Sequence, residues 1–492
     1  MPKGFFPTED TGSVLVGTEA PPDLGFEEIQ RKQDLLVDKL RKDPAVARVN
    51  SIVGGDQGNR GRIFLPLKPQ SERDSADVVM ARFRKILSSV PGYSGYPSMP
   101  QNLQLGGRPS ATLYQYTLSA VDKDTLYGFA PKLERAMRGI PGLLDVNSDY
   151  QLGARQAMVT VDRDAASRLG VPVDAVRRVL YAAYGNQQIS RIYTDVDDYQ
   201  VIMEIANADQ TNTDAIGRLM VRGASGQLVP LSAVTSISVT GAPITISHQS
   251  QLPAVTISFN LAPGVALSQA KPMIEQAAAD IGVPEGVSGA LGGNAQQFEA
   301  STKTMPVLFL AAIIVIYIVL GVLYESFAHP ITILSGLPAA GIGAVAFLWL
   351  FNMPLDVIGI IGVVLLIGIV KKNAIMMIDF ALAGQREQGW TPAHAIREAA
   401  EKRFRPIMMT TFAAMAGAAP LALGIGAGAE LRQPLGIAVL GGLVVSQVLT
   451  LFITPVIYLA IEGLTARLRA RRGAAAVEEL PGANAFRTEA AE

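Results

Sequence analysis

Hydrophobic and polar positions fall into two regimes that change over near residue 304. Downstream, apolar residues run almost unbroken through five stretches, roughly 306–324, 331–351, 355–382, 406–424 and 434–461. A hydrocarbon core of about 30 Å takes about 20 helical residues to cross, so these stretches predict five membrane helices. The separators are polar: "ESFAHP", "NMP", "AGQREQGWTPAHAIREAAEKRFR" and "GIGAGAELRQ". Upstream, over 12–296, strand-like alternation trades with helical spacing. "SVLVGTE", "IFLPLK", "YQYTLSA", "QAMVTVD", "YQVIMEI" and "AVTISFNL" predict strands. "FEEIQRKQDLLVDKLRK", "VDAVRRVLYAAYG" and "LSQAKPMIEQAAADI" predict helices, the second closed by Gly185.

The upstream part also repeats itself. "DPAVARVNS" (43–51) and "IPGLLDVNS" (140–148) share Pro-x4-Val-Asn-Ser, and each follows a strand and then a helix. Two strand–helix–strand units 97 residues apart suggest duplicated α+β subdomains with helices on one face of a sheet. Between them, "VGGDQGNRGR" (53–62) lacks nucleotide-loop spacing and reads as a mobile loop joining two strands.

Composition sharpens this division. Of 492 residues 49% are hydrophobic and 17% charged, well below the roughly 25% usual in soluble domains. A net charge of −1 gives no reason to expect nucleic acid. The chain has no cysteine, which excludes disulfides and thiolate metal sites. His248, His329 and His394 lie far apart and predict no metal centre. No nucleophile–base set or carboxylate pair stands out, so no catalytic residue is assigned and an enzyme is not expected. The end of the chain, 462–492, is of low complexity and is expected to form a disordered cytoplasmic tail.

Charge bias orients the membrane part. Arg386, Arg397, Lys402, Arg403, Arg405, Arg467, Arg469, Arg471 and Arg472 collect on one side, against Arg432 on the other. The basic side is therefore expected in the cytoplasm, with residues 12–303 exported. "MPKGFFPTEDTGSV" offers no apolar export signal, which leads to the expectation that a further helix precedes 1–11.

The third stretch carries the chemistry. "GIVKKNAIMMIDFAL" places Lys371, Lys372 and Asp379 inside an apolar helix. A lysine that deep needs a carboxylate or carbonyl partner. Asp379 is about 10 Å along the axis at 1.5 Å per residue, too far for a direct pair with Lys372. The other four stretches hold no interior carboxylate, so the partner is expected from outside this chain. Lys371 reads as a snorkelling or supporting lysine and Asp379 as facing the cytoplasmic end. Thr410 and Thr411 suit hydrogen bonds between helices, with a relay role the alternative. "AAGIGA" and "GGLVVS" read as close-packing surfaces.

"GFFPTEDTG", "YESFAHPITIL", "GIVKKNAIMMIDFA", "RFRPIMMTT" and "ELRQPLGI" together resemble the second half of resistance–nodulation–division (RND) efflux pumps, nearest the Mdt-type multidrug branch. The resemblance runs to about residue 461. It implies an α-helical membrane domain of five transmembrane helices (304–461), equivalent to helices 8–12, plus periplasmic α+β porter and docking subdomains. The implied divisions are a porter subdomain at 12–108, a second at 109–165 and 249–303, and a docking subdomain at 166–248. Such pumps are trimers in the Gram-negative inner membrane that export amphiphilic drugs from the periplasm and outer leaflet. They run on the proton gradient, without a cofactor, together with a periplasmic adaptor and an outer-membrane channel.

Position by position, the resemblance makes Lys372, Thr410 and Arg403 members of a proton relay, with Lys371 and Asp379 possible accessories. The relay's aspartates lie on a helix that this sequence does not match, which implies an N-terminal half or an equivalent chain as partner, in a homo- or heteromeric trimer. "VGGDQGNRGR" takes the place of the loop between drug pockets, so Phe64, Asn50, Gly54 and Gly55 are expected along the substrate path. Asn50 stands where a pocket phenylalanine is common. The alternatives are a truncated, non-transporting product, an assembly subunit, or a lipid- or protein-export member of the superfamily.

Overall fold

The structure is a computed structural model. It describes residues 1, 3–54, 58–103, 106–206, 210, 212–426 and 428–478, with side chains as far as Arg467. The chain divides into two compact units, one of 1–19, 29–149 and 247–492 and the other of 20–28 and 150–246.

The first unit opens with β1 (Ser13–Glu19), α1 (Phe26–Arg41), β2 (Asn50–Val53), β3 (Arg60–Pro66), α2 (Ala76–Leu87) and β4 (Ser94–Ser98). Burial alternates along β1 and β3, so Val14, Val16, Ile63 and Leu65 face the core. Ile29, Gln33, Leu36, Val37 and Leu40 form the one buried stripe of α1. The sheet order is β2-β3-β1-β4.

The pattern then starts again with β5 (Tyr114–Ala120), α3 (Lys123–Arg138) and β6 (Leu143–Ser148). Asp122 caps α3 by accepting from the Asp124 and Thr125 amides. Here the chain leaves to form the second unit: β7 (Ala154–Val161), α4 (Arg163–Arg168), α5 (Val173–Tyr184), β8 (Gln187–Tyr193), β9 (Asp198–Met203), α6 (Thr213–Arg218), β10 (Met220–Arg222), β11 (Leu228–Pro230) and β12 (Thr235–Ala242). Its core gathers Ala166, Val171, Val176, Val221, Leu231 and Val234. β7 pairs with β12 along its whole length, and the main stretch of this unit runs from Tyr150 to Ile246. The strand pattern of "QAMVTVD" was legible, but its partner strand, paired at separations of 74 to 88 residues, was not.

The chain returns with β13 (Ser247–Gln249), β14 (Leu252–Leu261), α7 (Leu267–Asp280) and β15 (Val287–Gly292). β14 pairs with β6 and β5, and β5 with β15. The resulting order β6-β14-β5-β15 matches β2-β3-β1-β4, strand for strand. The repeated Asn50 and Asn147 even take equivalent partners, Phe64 on β3 and Ser258 on β14. The duplication read from Pro-x4-Val-Asn-Ser is therefore a duplicated β-α-β-β-α-β fold, with the second unit inserted between β6 and β13.

The downstream region is helical: α8 (Asn294–Tyr324), α9 (His329–Leu334), α10 (Leu337–Leu350), α11 (Val357–Gln388), α12 (Pro392–Ala422) and α13 (Ala429–Glu478). Among the described residues, four helices are long and apolar enough to cross a membrane: α8, α9 with α10, α11, and 429–467 of α13. The expected count of five is not reached on these grounds. α12 is a helix, but its first half carries Arg397, Glu398, Glu401, Lys402, Arg403, Arg405 and Pro406, and its second half holds Pro420 and two threonines.

The polar separator 383–405 is helical on both sides of a tight turn in which α11 and α12 meet. Gly389 closes α11 in the left-handed region at φ 65°, Thr391 caps α12 and Pro392 starts it. The tail expected to be disordered from 462 instead continues α13 to Glu478, while 479–492 lie outside the described residues. Small residues with charged neighbours read as low complexity, yet alanine and arginine are strong helix formers.

Glycine and alanine let the helices approach closely, as expected of "AAGIGA" and "GGLVVS". A Cβ on Gly343 would meet the Gly441 carbonyl at 2.7 Å, and one on Gly362 would meet the Ala438 Cβ at 2.9 Å. Ala340, Ala344, Leu348, Leu366, Val370, Ala438 and Leu443 form the packed centre of α10, α11 and α13.

Candidate functional site

α11 buries Leu366, Val370, Asn373, Ala374, Met377, Ile378 and Ala381 and leaves a stripe uncovered. Leu365, Gly368, Lys372 and Asp379 lie on that stripe, spaced three, four and seven residues apart as one helical face requires. Lys372 and Asp379 are exposed and Lys371 is half-buried. Among the described residues neither lysine has a carboxylate within ion-pair distance. The structure thus presents Lys372 on a face this chain does not cover, and it does not join Lys372 to Asp379.

Asp379 has a neighbour of its own. The Tyr324 hydroxyl at the end of α8 is buried and faces the Asp379 carboxylate. Behind it, the His329 ring stacks on Tyr458 and its Nε2 lies 4.0 Å from Glu462.

Arg403 is half-buried on α12. Its guanidinium lies 5.1 Å from the centre of the Phe380 ring on α11, and its buried Nε has no hydrogen-bond partner among the described residues. Lys402 sits 5.8 Å from the same ring and 5.9 Å from Trp390. Thr410 is half-buried and its hydroxyl donates to the Ile407 carbonyl at 3.1 Å. No hydrogen bond among the described residues connects Thr410 with Lys372.

What joins the helices is the residue beside each. Asn373, next to Lys372, donates through Nδ2 to Thr411 Oγ1 at 3.0 Å and to Gln447 Oε1 at 3.2 Å. Thr411, next to Thr410, stands 2.6 Å from Gln447 Oε1 and 2.9 Å from the Ile407 carbonyl. Gln447 completes the set from α13 and donates to Met408 Sδ at 3.2 Å. Asn373 and Gln447 do not stand out by charge or periodicity along the chain. A lone amide inside the apolar "VVSQVLT" was the available signal.

The expected substrate-path residues form a second group, far along the chain on β2 and β3. Asn50 lies directly opposite Phe64, and Leu15 of β1 flanks Phe64 on the other side. Both Asn50 and Phe64 are on the exposed face of the sheet. Gly54 turns the chain at φ 85° and its amide donates to the Arg60 carbonyl at 2.8 Å. Gly55 lies outside the described residues.

The family model described as "AcrB/AcrD/AcrF family" matches residues 1–462. The chain belongs to the AcrB/AcrD/AcrF family. Its similarity to curated members is high. It is 45% identical over 468 residues to "Multidrug resistance protein MdtC" of Klebsiella pneumoniae, covering 95% of this chain and 46% of that protein. It is 44% identical over 479 residues to the protein of the same name from Salmonella arizonae, covering 97% and 47%. In fold it is similar to a heavy metal efflux pump solved by X-ray crystallography, with a TM-score of 0.80 and 25% identity, over 94% of this chain and 49% of that one. The chain thus spans about half the length of the AcrB/AcrD/AcrF relatives it matches. The resemblance read from "GIVKKNAIMMIDFA" and its companion motifs is confirmed at the level of the family.

Proposed function

We propose that the chain is the C-terminal half of a proton-driven RND transporter that exports amphiphilic drugs. Membership of the AcrB/AcrD/AcrF family and 45% identity to a multidrug resistance protein support the class of activity. The observation that carries the mechanism is Lys372, a cation deep in a mostly apolar membrane helix, exposed on a face the chain leaves uncovered. A charge in the hydrocarbon is costly unless paired, so that face is where a carboxylate from the rest of the transporter docks. With the carboxylate charged, Lys372 pairs with it. Protonation dissolves the pair, Lys372 moves, and α11 shifts with it. Thr410 and Arg403 on α12 flank this path, with Lys371 and Asp379 as accessories.

In this reading α12 is a fifth membrane helix that carries its charged first half on the cytoplasmic side. The two β-α-β-β-α-β folds are periplasmic porter subdomains, and 166–248 is a docking subdomain. Phe64, Asn50, Gly54 and Gly55 border the drug path. The assembly is a trimer in the inner membrane that works with a periplasmic adaptor and an outer-membrane channel. The test is Lys372→Ala in the complete transporter, read as drug susceptibility and dye export. Loss of export is expected, and export equal to the parent refutes the relay.

A further inference from the structure

We infer that the buried cluster Asn373–Thr411–Gln447 is the fixed point that sets the position of Lys372, and that Gln447 is a positioning residue for the proton-coupled step. The inference rests on the relay reading above.

The three side chains come from three different helices, α11, α12 and α13, and are almost wholly enclosed, at 7%, 2% and 7% exposure. In an apolar interior each would be costly without its partners, so they hold one another. Lys372 is the residue before Asn373 and projects to the uncovered face, whereas Asn373 points inward. Thr410 has the same relation to Thr411. A movement of α11 that displaces Lys372 therefore has to carry or break the bonds of Asn373.

The cluster also has two arrangements available to it. Thr411 has one hydroxyl proton and two acceptors in reach, the Ile407 carbonyl of its own helix at 2.9 Å and Gln447 Oε1 of α13 at 2.6 Å. Gln447 accepts from Asn373 and Thr411 and, among the described residues, donates only to the Met408 sulfur, a weak acceptor. With the Thr411 proton on Gln447, α12 and α13 are tied. With the proton on Ile407, Gln447 is free to follow Asn373. Such a choice between two satisfied states lets a movement at Lys372 propagate without leaving a buried polar group bare.

The experiment compares Thr411→Val, Thr411→Ser and Gln447→Leu in the complete transporter. It reads export of one cationic dye from about pH 5.5 to about pH 8, the range in which proton coupling is titrated. Thr411→Val and Gln447→Leu are expected to slow export about fivefold, the scale of lost interhelical hydrogen bonds. They are also expected to move the half-maximal pH upward by about half a unit or more, because a less firmly placed Lys372 depresses the facing carboxylate less. Thr411→Ser keeps the hydroxyl and is expected to follow the parent. If Gln447→Leu does not fold, as judged by thermal unfolding in detergent, the Val and Ser pair at Thr411 decides the matter. Superimposable pH profiles for parent and Thr411→Val overturn the inference, whatever the rate. Lys372→Ala separates the two levels: if it exports like the parent the relay reading fails, and if it is inactive while the profiles superimpose only the positioning role fails.

Discussion

Arg84 on α2 grips Asp145 on β6, and so ties the first β-α-β-β-α-β fold to the second. Its Nε lies 2.9 Å and 3.1 Å from the two carboxylate oxygens, and a terminal nitrogen lies 2.9 Å from Oδ2. Asp145 is held at φ 55°, in the left-handed region, where the register of β6 against β14 slips. Asn260 donates to the same carboxylate at 2.9 Å and to the Pro97 carbonyl of β4 at 3.3 Å. Aspartate tolerates this backbone better than most residues, and the ion pair explains why glycine is not used. Arg84→Met is expected to lower stability by about 2 kcal/mol, since it strands a nearly buried carboxylate. Asp145→Asn keeps the backbone preference and one acceptor oxygen, puts an NH2 donor in place of the other, and leaves no buried charge, so it is expected to cost about half as much. Thermal unfolding of the purified transporter measures both, and equal losses would contradict the assignment of the cost to the stranded charge.

Gln33 anchors the strand that leads into the glycine-rich loop. Its Oε1 accepts from Thr18 at 2.6 Å and from the Tyr93 hydroxyl at 2.5 Å, while Nε2 donates to Ser51 and to the Ile52 carbonyl, both at 2.9 Å. Burial pushes the Tyr93 phenol up, which keeps it a donor. Gly61 is needed beneath this set, because a Cβ there would meet Gln33 Oε1 at 2.6 Å and Thr18 Oγ1 at 2.7 Å. Gln33→Leu leaves several buried partners unsatisfied and is expected to cost about 2–3 kcal/mol, loosening β2 first. Hydrogen exchange of 48–66 is expected to speed up, with exchange in α3 unchanged. Uniform acceleration across both folds would assign Gln33 a global role instead.

Much of this architecture was legible in the chain, for identifiable reasons. β1 and β5 match "SVLVGTE" and "YQYTLSA" residue for residue: β1 alternates in burial, while β5 is buried along most of its length and is marked by its aromatic and β-branched residues. The repeat was visible because Asn50–Ser51 and Asn147–Ser148 hold equivalent positions in equivalent strands. The helical arms on either side of Gly389 were not visible, since charge density in "AGQREQGWTPAHAIREAAEKRFR" masked a helical stop and restart that Gly389, Thr391 and Pro392 spell out. At the candidate site, Lys372 stood out because a charge in an apolar run is rare. Asn373, Thr411 and Gln447 did not, because their meaning lies in contacts between residues 36 and 74 apart, which periodicity does not carry.

The close-packed glycines of α13 should rank by what they touch. A Cβ on Gly436 would meet the Ala422 amide nitrogen at 2.3 Å and the Leu421 carbonyl carbon at 2.6 Å, both backbone. One on Gly442 would meet the Leu366 Cδ1 at 2.1 Å, the far end of a side chain that can turn away, although the Ala340 carbonyl lies at 3.1 Å. One on Gly417 of α12 meets nothing within 4 Å. Overpacking costs about 1–3 kcal/mol, more where backbone must shift. Gly436→Ala is therefore expected to destabilise most, Gly442→Ala less, and Gly417→Ala not at all or in the opposite direction, because alanine favours helix. Thermal unfolding in detergent gives the order, and a Gly417→Ala loss as large as that of Gly436→Ala would rule out contact as the cause.

Phe380 holds Arg403 against α11 without a hydrogen bond to its Nε, so the contact depends on the ring face. A guanidinium over an aromatic ring contributes about 1–2 kcal/mol when partly desolvated. Phe380→Leu keeps the apolar bulk and removes the ring, whereas Phe380→Trp keeps a ring of stronger attraction. If Arg403 acts in proton movement from the place this ring gives it, Phe380→Leu is expected to reduce dye export about five- to tenfold, in the direction of Arg403→Ala, while Phe380→Trp retains most of it. The double variant Phe380→Leu with Arg403→Ala should then be no worse than Arg403→Ala alone, since the ring acts through the arginine. Additive losses in the double variant would show instead that Phe380 serves the packing of Trp390 and α12, and that Arg403 does not depend on it.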